Sequence, residues 1–261
     1  MEELKTQGLI LSAVNMNDND KIFTILTRDY GKLTAVSKGI RSHKHKDFAA
    51  LQNFCYSDLV LNRKTGLYYV SSAGVLNNFY GIRNSVEQMS YAAYFTDIVK
   101  SVPDDIEFDE EYYNFILNTL YLVSKAEQKC IDGDIEEYLK RLKAVFEMKT
   151  ACNLGYMPQL SACCGCGTEK GIEYFDLSNG SVVCSSCKGK YDAEQLVKIN
   201  GKILKMLLFI CMSDYKQVFS FNADEESLCI VAHICERYII NCIEFYPSSL
   251  SYLKKLSADE E

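Results

Sequence analysis

The chain has 261 residues, of which 48% are hydrophobic and 24% are charged, and its formal net charge is −7. This apolar content, with only three prolines, excludes a disordered or fibrous chain and suffices for two or three small domains. The first eight residues are mostly polar, and no apolar run reaches membrane-spanning length. We therefore expect a cytoplasmic protein in a reducing environment, without a membrane contact.

Short strands dominate the N-terminal part of the sequence. Polar and apolar residues alternate, and turn residues such as Asp29-Tyr30-Gly31 separate the runs. The predicted strands span residues 4–16, 21–27, 32–37, 55–62 and 67–72. Five short strands within about 75 residues are typical of a barrel of the oligonucleotide-binding (OB) type, and a small sandwich or an SH3-like barrel fits nearly as well.

The densest positive charge lies in residues 38–47, between the third and fourth predicted strands. Residues 1–70 carry ten Lys or Arg against seven Asp or Glu, a net charge of +3, whereas the remainder carries −10. A basic, mobile loop on a small barrel is typical of phosphate contacts, and a solvated loop without a ligand is the alternative. His43 and His45 lack a third ligand nearby, which argues against a metal there. Four aromatic residues are candidates for base stacking, although core packing is favoured for each: Phe48, Phe54, Tyr68 and Tyr69.

Beyond residue 83, apolar residues recur at helical spacing. The predicted helices span residues 84–102, 110–127, 133–155 and 202–212, and a further helix begins at Asp224. The predicted fold class is α+β, with an OB-type barrel followed by a helical domain that carries an inserted zinc module. The predicted domains are residues 1–80 (barrel), 81–157 with 192–247 (helical), 158–191 (zinc module) and 248–261 (a frayed acidic tail).

A four-cysteine pattern interrupts the helices. Cys163 and Cys166 form one Cys-x-x-Cys unit, Cys184 and Cys187 form another, and 17 residues separate them. Zinc binds four thiolates in a tetrahedron, and two cysteines three positions apart around a tight turn direct both sulfurs to one point. The intervening residues 172–183 are typical of a hairpin that returns the second unit to the first. We predict one structural Zn²⁺ ion held by these four cysteines.

Two alternatives are open for the cysteines. A pair of disulfides fits the spacing, but disulfides are rare in a reducing compartment. The adjacent Cys164 is a competing ligand, although Cys163 and Cys166 have the standard spacing. The other seven cysteines are scattered through apolar stretches, where they behave as small hydrophobic residues: Cys55, Cys130, Cys152, Cys211, Cys229, Cys235 and Cys242.

The sequence carries no recognisable catalytic motif. It lacks a glycine-rich phosphate loop, a His-Glu-x-x-His helix and a Gly-x-Ser-x-Gly turn. His233 and Cys235 are two positions apart on a predicted helix, where side chains do not face each other. A four-thiolate zinc site also leaves no open coordination position for a substrate. We therefore predict a protein that is not an enzyme.

The order of these parts resembles that of the RecO family of bacterial recombination mediators. The matching segments are residues 6–11, 21–33, 38–41, 146–149 and 154–158, and the resemblance runs from about residue 4 to 245. Lys21 stands where the family often has arginine, which keeps the charge and loses the bidentate fork. Histidines alternate with lysines beyond Arg41, so part of the charge of this loop depends on pH.

The resemblance implies a protein that binds single- and double-stranded DNA and anneals strands coated with single-stranded-DNA-binding protein. It also implies that the protein works with RecR to load RecA, at the nucleoid. The candidate phosphate contacts on the barrel are Lys21, Arg28, Lys32, Lys38, Arg41, Lys44 and Lys46. The acidic C-terminal tail of the single-stranded-DNA-binding protein is expected to dock on the helical domain, with Arg141 and Lys149 as candidate contacts.

Two rival functions are open at this stage. One is a zinc-containing adaptor that binds proteins and has weak or no affinity for DNA, which the overall negative charge favours. The other is a zinc-dependent enzyme, which would need a water molecule among the metal ligands. Binding of an oligonucleotide across a salt series separates the adaptor from a DNA-binding protein.

Overall fold

A computed structural model describes residues 2–42, 44–104, 108–130 and 134–258. The chain divides into two compact units, one formed by residues 1–125 with 247–261 and the other by residues 126–246. This division differs from the predicted boundary near residue 80, and the predicted domain limits stay a prediction.

The N-terminal strands form a closed barrel in the first unit. They are β1 (Glu2–Asn15), β2 (Lys21–Thr27), β3 (Gly31–Ser37), β4 (Tyr56–Lys64) and β5 (Leu67–Asn77). Their order around the barrel is β1-β2-β3-β5-β4, and β1 pairs with β4 to close it. Strands β3 and β5 are parallel, and the other neighbouring pairs are antiparallel. The OB-type barrel is therefore confirmed, and the sandwich and the SH3-like barrel are set aside.

Strand β1 is long because it pairs with two neighbours. Gly8 lies opposite Thr27 on β2 and opposite Ser57 on β4. A Cβ atom at Gly8 would lie 2.6 Å from Ile25 Cγ2, so no larger residue fits without a shift of the barrel core. Alternate residues of the strands point inward, as the period of two requires. The buried core they form includes Ile10, Phe23, Ile25, Ala35, Leu59 and Leu61.

The β3–β4 segment (residues 38–54) contains the predicted basic loop, residues 38–47, and part of it is buried. Its side chains Ile40 and Leu51 are 2% exposed and belong to the barrel core. The backbone N–H of Gly39 donates to Asp20 Oδ1 at 2.8 Å. Buried apolar side chains and a hydrogen bond to the β1–β2 turn therefore anchor the segment against the barrel.

Three helices complete the first unit: α1 (Val86–Ser101), α2 (Glu110–Ser124) and α7 (Ser248–Ala258). Side chains of Ser85 and Asp109 cap α1 and α2 by accepting hydrogen bonds from backbone N–H groups of the first turns. Gln88 on α1 is buried, and its Nε2 donates to the Val123 carbonyl on α2 at 2.6 Å. This bond satisfies a buried amide and holds the two helices together.

Helix α7 corrects the prediction of a frayed acidic tail at residues 248–261. Leu250 and Leu253 lie three positions apart and are 0% and 5% exposed, so α7 packs through one apolar face. Ser249 Oγ donates to Asp97 Oδ2 on α1 at 2.7 Å. The acidic residues of the predicted tail, 259–261, lie outside the described part of the chain.

The second unit combines helices with a small sheet. Its helices are α3 (Ala126–Lys129), α4 (Ile135–Asn153), α5 (Gly201–Met212) and α6 (Glu225–Ile243), and its strands are β6 (Ile172–Asp176), β7 (Ser181–Cys184) and β8 (Leu196–Lys198). Helices α4, α5 and α6 pack against one another. Lys143 on α4 is 6% exposed, and its Nζ lies 2.8 Å from Glu147 Oε1 and 2.7 Å from Glu236 Oε2 on α6. Because burial opposes the charge of Lys143, the two carboxylates are needed to raise its pKa above the ordinary value.

The sheet of the second unit has the order β7-β6-β8 and packs against α6. Phe175 on β6 meets Tyr238 on α6 edge to face, with ring centroids 5.7 Å apart. Gly180, in the β6–β7 turn, has a φ of +58°, and a Cβ atom there would lie 2.2 Å from Tyr238 Oη. The turn therefore requires glycine both for its backbone conformation and for its close approach to the helix.

Within the described part of the chain, no helix combines the length and the apolar character needed to cross a bilayer.

Candidate metal centre and nucleic-acid interface

The four predicted zinc ligands converge in the second unit. The first Cys-x-x-Cys motif precedes β6. Cys184 is the last residue of β7, and Cys187 lies in the turn that follows. The four Sγ atoms, from Cys163, Cys166, Cys184 and Cys187, all lie within 4.8 Å of one another. A tetrahedral Zn²⁺ ion with Zn–S bonds of about 2.3 Å separates its sulfur ligands by about 3.8 Å. The Cys166–Cys184 separation of 3.8 Å matches this distance, so the cluster fits a four-thiolate metal.

The alternatives for the cysteines are excluded by the same geometry. A sulfur–sulfur distance of 3.8 Å is far beyond a disulfide bond, and the described cysteines are free thiols. Cys164 does not belong to the cluster. Its Sγ lies 3.0 Å from Tyr191 Oη, and it accepts a hydrogen bond from Ser181 Oγ at 3.2 Å. Cys164 is therefore a neighbour of the site and not a competing ligand.

The thiol of Cys163 ionises more readily than an ordinary cysteine. Burial of Cys163 opposes its ionisation, but backbone N–H groups around Cys184 and Gly165 lower the pKa of this thiol to about 6. In contrast, hydrogen bonds to the sulfurs of Cys166 and Cys184 raise the pKa of Cys187 to about 12. Four thiolates so close together repel one another, and a divalent cation removes that repulsion. The donor set therefore suits a soft divalent metal.

Five of the seven predicted phosphate contacts lie at one end of the barrel. These are Lys21, Lys38, Arg41, Lys44 and Lys46. Lys21 begins β2 opposite Ser37, the last residue of β3, and Lys38 follows directly. Arg41 Nη1 donates to the Asn17 carbonyl in the β1–β2 turn at 3.1 Å. The strand register and this hydrogen bond therefore place the β1–β2 turn and the start of the β3–β4 segment side by side.

Two further cations at this end, Arg63 and Lys64, were missed in the sequence analysis. Strand β5 lies between β3 and β4, with Tyr68 opposite both Ala35 and Arg63. Lys64 and Thr65 of the β4–β5 connection line one cleft together with Ser37 and Lys38 at the end of β3. The two cations directly precede the Thr65-Gly66 turn, which was a usable signal, but the parallel β3–β5 pairing is not readable from the sequence. The basic end of the barrel thus comprises Lys21, Lys38, Arg41, Lys44, Lys46, Arg63 and Lys64.

A cleft of about 460 Å³ opens at the basic end. We call it the Tyr69 cleft, and its lining residues are Val36, Ser37, Lys38, His45, Lys46, Asp47, Asn62, Lys64, Thr65, Tyr69, Val70 and Ser71. Lys38 Nζ lies 5.7 Å from the centroid of the Tyr69 ring, a cation–π distance. Asp47 is 4% exposed, and its Oδ1 accepts a hydrogen bond from Ala73 N–H at 3.0 Å. The cleft therefore combines an aromatic wall and a buried carboxylate with lysines around it.

The four aromatic stacking candidates lie in different environments. Phe54 is 7% exposed and belongs to the buried apolar residues. Phe48 and Tyr68 pack against the barrel core. Tyr69 is half-buried and lines the cleft. The expectation of core packing therefore fits three of them, and Tyr69 differs because its ring lies on the outer surface of β5. His43 lies outside the described residues.

The other two predicted phosphate contacts, Arg28 and Lys32, lie at the opposite end of the barrel. The register pairs Lys21 with Ser37 and Thr27 with Gly31, so β2 spans the barrel from end to end. Seven residues at about 3.3 Å each place Arg28 roughly 23 Å from Lys21. Arg28 also forms an ion pair with Glu110, the first residue of α2. The structure therefore does not bring all seven predicted cations onto one surface.

The ammonium of Lys32 is surrounded by backbone carbonyls and a carboxylate of the protein. Its side chain is 7% exposed, and its Nζ donates to the carbonyls of Lys100, at 2.8 Å, and Val102. It also lies 3.0 Å from Asp104 Oδ1. These carbonyls belong to the C-terminal end of α1, where a helix has unpaired acceptors and a partial negative charge. The ammonium of Lys32 therefore caps α1 and points into the protein.

The two candidate partner contacts also differ from each other. Lys149 is 6% exposed, and its Nζ donates to the carbonyls of Cys211, at 3.0 Å, and Ser213, at the C-terminal end of α5. Burial lowers the pKa of Lys149, so its charge depends on these acceptors. Arg141 is more exposed, and its Nη1 donates to Asn222 Oδ1 at 2.9 Å. Of the two, Arg141 is accessible to a partner and Lys149 is not.

Comparison with known proteins gives matches over nearly the whole chain. Residues 1–79 match the family described as "Recombination protein O N terminal", and residues 83–250 match "Recombination protein O C terminal". A DNA repair protein RecO from Acetivibrio thermocellus is 32% identical over 98% of both chains. DNA repair proteins RecO from Alkaliphilus metalliredigens and Caldanaerobacter subterraneus are each 31% identical, over 82% and 84% of this chain and 83% and 84% of theirs.

Proposed function

The chain belongs to the RecO family of DNA repair proteins, and from this premise we propose that the basic end of its barrel binds DNA. The observation that supports this most is the position of seven cations from three turns at one end of the barrel, where Lys38, Lys46 and Lys64 line one cleft. In OB-type barrels, the β1–β2 and β4–β5 loops flank the surface that binds oligonucleotides. Here the same two loops contribute to the basic end.

The proposed action is the annealing of complementary single strands. Cations at the basic end neutralise phosphates of a bound strand, which reduces its repulsion of the second strand. Base pairing then supplies the free energy of annealing, so no general acid, base or nucleophile is required. We accordingly propose that the protein is not an enzyme, and that with RecR it helps load RecA onto strands coated by single-stranded-DNA-binding protein at the nucleoid.

The set of proposed phosphate contacts differs from the one predicted from the sequence. Lys32 is left out because its ammonium caps α1, and Arg28 is left out because it pairs with Glu110 at the far end. Arg63 and Lys64 take their place. Contacts to about four to six phosphates correspond to a log–log salt slope of roughly −3 to −5.

The metal of the four-cysteine cluster is proposed to be zinc in a structural role. The spacing of the sulfurs suits a tetrahedral ion, and four thiolates leave no position for a substrate or a water molecule. Such an ion would join the turn before β6 to the end of β7. The hairpin between them would then keep its contacts with α6.

A site for the acidic tail of the single-stranded-DNA-binding protein is proposed on the second unit, around Arg141. Its guanidinium is partly exposed and suits a carboxylate. Lys149 is not part of this proposal because two backbone carbonyls already accept hydrogen bonds from its ammonium.

Fluorescence anisotropy with a labelled oligonucleotide, measured across a salt series, tests the DNA-binding proposal. The expected affinity falls steeply with salt for the wild-type protein. In a variant with Lys38, Arg41, Lys44 and Lys46 replaced by glutamine, the dependence of affinity on salt should become shallower. The rate of strand annealing should also decrease. Binding by the wild type that is absent or independent of salt would instead select the protein-binding adaptor, which the net charge of −10 beyond residue 70 would suit.

A further inference from the structure

We propose that the Tyr69 cleft receives an unpaired nucleobase, which stacks on the Tyr69 ring, and that this contact makes the protein bind a single strand more tightly than a duplex. The inference rests on the proposed function and assigns a specificity-determining residue to it. The basic end is not a flat surface. Phosphates can be held by a flat surface of cations, but this surface contains a recess of about 460 Å³, within the size range of sites that enclose small molecules.

The position of Tyr69 makes its ring available inside this recess. Neighbouring residues of β5 alternate between the barrel core and the outer surface, and Tyr68 takes the core side. Tyr69 therefore faces outward, where it lines the cleft next to Lys38. An exposed cation–π contact is weaker than stacking of a base on an aromatic ring, so an arriving base can displace Lys38. The freed ammonium would then lie close to the phosphate of the same nucleotide.

The charges in the cleft favour entry of a base over entry of a phosphate. Asp47 is buried in the cleft, and its carboxylate would repel a phosphate that entered. A nucleobase carries N–H donors on its edge, and the amide oxygen of Asn62, which also lines the cleft, can accept a hydrogen bond from them. Lys46 and Lys64 also line the cleft and supply the cations for the backbone of the strand. The cleft thus suits a whole nucleotide, with the base inside and the phosphate outside.

A duplex cannot use this site without loss of a base pair. Its bases are stacked within the helix, so a duplex meets the basic end through phosphates alone. A single strand can use both the phosphates and the Tyr69 ring. Selectivity for single strands then follows from one aromatic side chain, whereas the cations serve both forms of DNA.

Binding of a single-stranded oligonucleotide of about 16 nucleotides, the upper site size of an OB-type fold, tests the proposal against a duplex of the same sequence. Tyr69→Thr removes the ring and keeps a residue that suits a strand. We expect it to lose about tenfold in affinity for the single strand, which corresponds to ~1.4 kcal/mol, and to leave the duplex affinity unchanged. Tyr69→Phe should retain the wild-type affinities, and Tyr30→Thr, at the opposite end of the barrel, is the matched control.

An oligonucleotide that lacks its bases separates stacking from a structural effect. It should bind the wild type and Tyr69→Thr equally, since neither can stack a base that is absent. Ultraviolet crosslinking of the wild-type protein to an oligonucleotide with 5-iodouracil gives a measurement that needs no variant, and the adduct is expected on Tyr69.

The outcomes distinguish this inference from the proposed function. Equal losses for single strand and duplex, or an adduct on another residue, would overturn the role of Tyr69 while salt-dependent duplex binding left the proposed function intact. Wild-type protein that binds neither form of DNA would overturn both.

Discussion

The two ends of the barrel carry the same kinds of residues and use them differently. At the basic end, Lys38, Lys46 and Lys64 line a cleft with an aromatic wall. At the other end, Lys32 and Arg28 are bound by groups from α1, α2 and the residues that follow α1. A lysine in a strand of a small barrel is therefore not in itself a sign of phosphate binding.

The neighbours of each cation account for the difference. The side chain of Lys32 is 7% exposed, and burial of an ammonium without acceptors would be unfavourable. Two helix-terminal carbonyls and Asp104 compensate for the lost hydration, so the cation stabilises the fold and is not available for a ligand. At the basic end, Lys38 meets an aromatic ring and solvent, and its charge acts on whatever approaches.

The largest expected effect concerns a site outside the barrel, and it tests whether the barrel ends alone govern DNA binding. Cys184→Ser removes one of the four proposed metal ligands, and in zinc-finger peptides metal binding provides about 10–16 kcal/mol of apparent free energy for folding. We expect loss of bound zinc and protease sensitivity of the hairpin, with DNA affinity retained. Zinc should also be released as the pH falls, because protons compete with the metal for thiolates.

Cys164→Ser is the matched control, since Cys164 lies next to the cluster and is not a ligand. It should keep the metal, measured by a colorimetric zinc assay after chelation. If chelator leaves the melting temperature and the protease pattern of the wild type unchanged, a structural zinc is refuted.

Lys32→Met should sharpen the contrast between the ends. The substitution removes hydrogen bonds from a charged donor to two carbonyls of α1, and such bonds contribute about 1.5–3 kcal/mol each where buried. We expect a loss of about 3 kcal/mol or more in the free energy of unfolding, measured with urea, and no change in DNA affinity. Lys5→Met, at an exposed lysine that pairs with Glu3, should change neither. A weaker affinity of Lys32→Met for DNA at unchanged stability would remove the distinction between the ends.

Neutralising cations at the basic end, and separately at the far end, tests which end binds DNA. Arg63→Gln with Lys64→Gln should weaken DNA binding about tenfold and reduce the magnitude of the salt slope by about 2. Arg28→Gln, at the far end, should leave both quantities as in the wild type. Equal effects of the two changes, measured by anisotropy over a range of salt, would contradict the assignment of one end to DNA.

The smallest expected effect concerns the β4–β5 turn, Thr65-Gly66, which directly follows Arg63 and Lys64. Thr65 has a φ of +46°, a strained conformation for a β-branched residue, and Gly66 follows with +83°. Thr65→Asn should relieve this strain and stabilise the protein by about 1 kcal/mol. Gly66→Ala is the reference change and should destabilise it. A melting temperature of Thr65→Asn below that of the wild type would show that the threonine makes a contact worth more than the strain.

The strands and the metal ligands were readable from the sequence because their signals are local. Alternation along 21–27 predicts β2, and the two Cys-x-x-Cys units predict a cluster, since each depends on residues a few positions apart. The prediction of a frayed tail was wrong because Leu250 and Leu253 are buried in the folded protein, and the local sequence does not show which core they pack against. Arg63 and Lys64 were overlooked because the parallel β3–β5 pairing joins segments about 30 residues apart.

The order of residues was enough to establish the barrel, the four-sulfur cluster and the concentration of positive charge in the N-terminal part. It did not establish what each cation does. Lys32 meets carbonyls near residue 100, and Lys149 meets carbonyls near residue 212, so both roles arise from contacts between distant parts of the chain. Hydration and hydrogen bonding of a long, flexible side chain depend on the surface it meets after folding, and no local pattern records that surface.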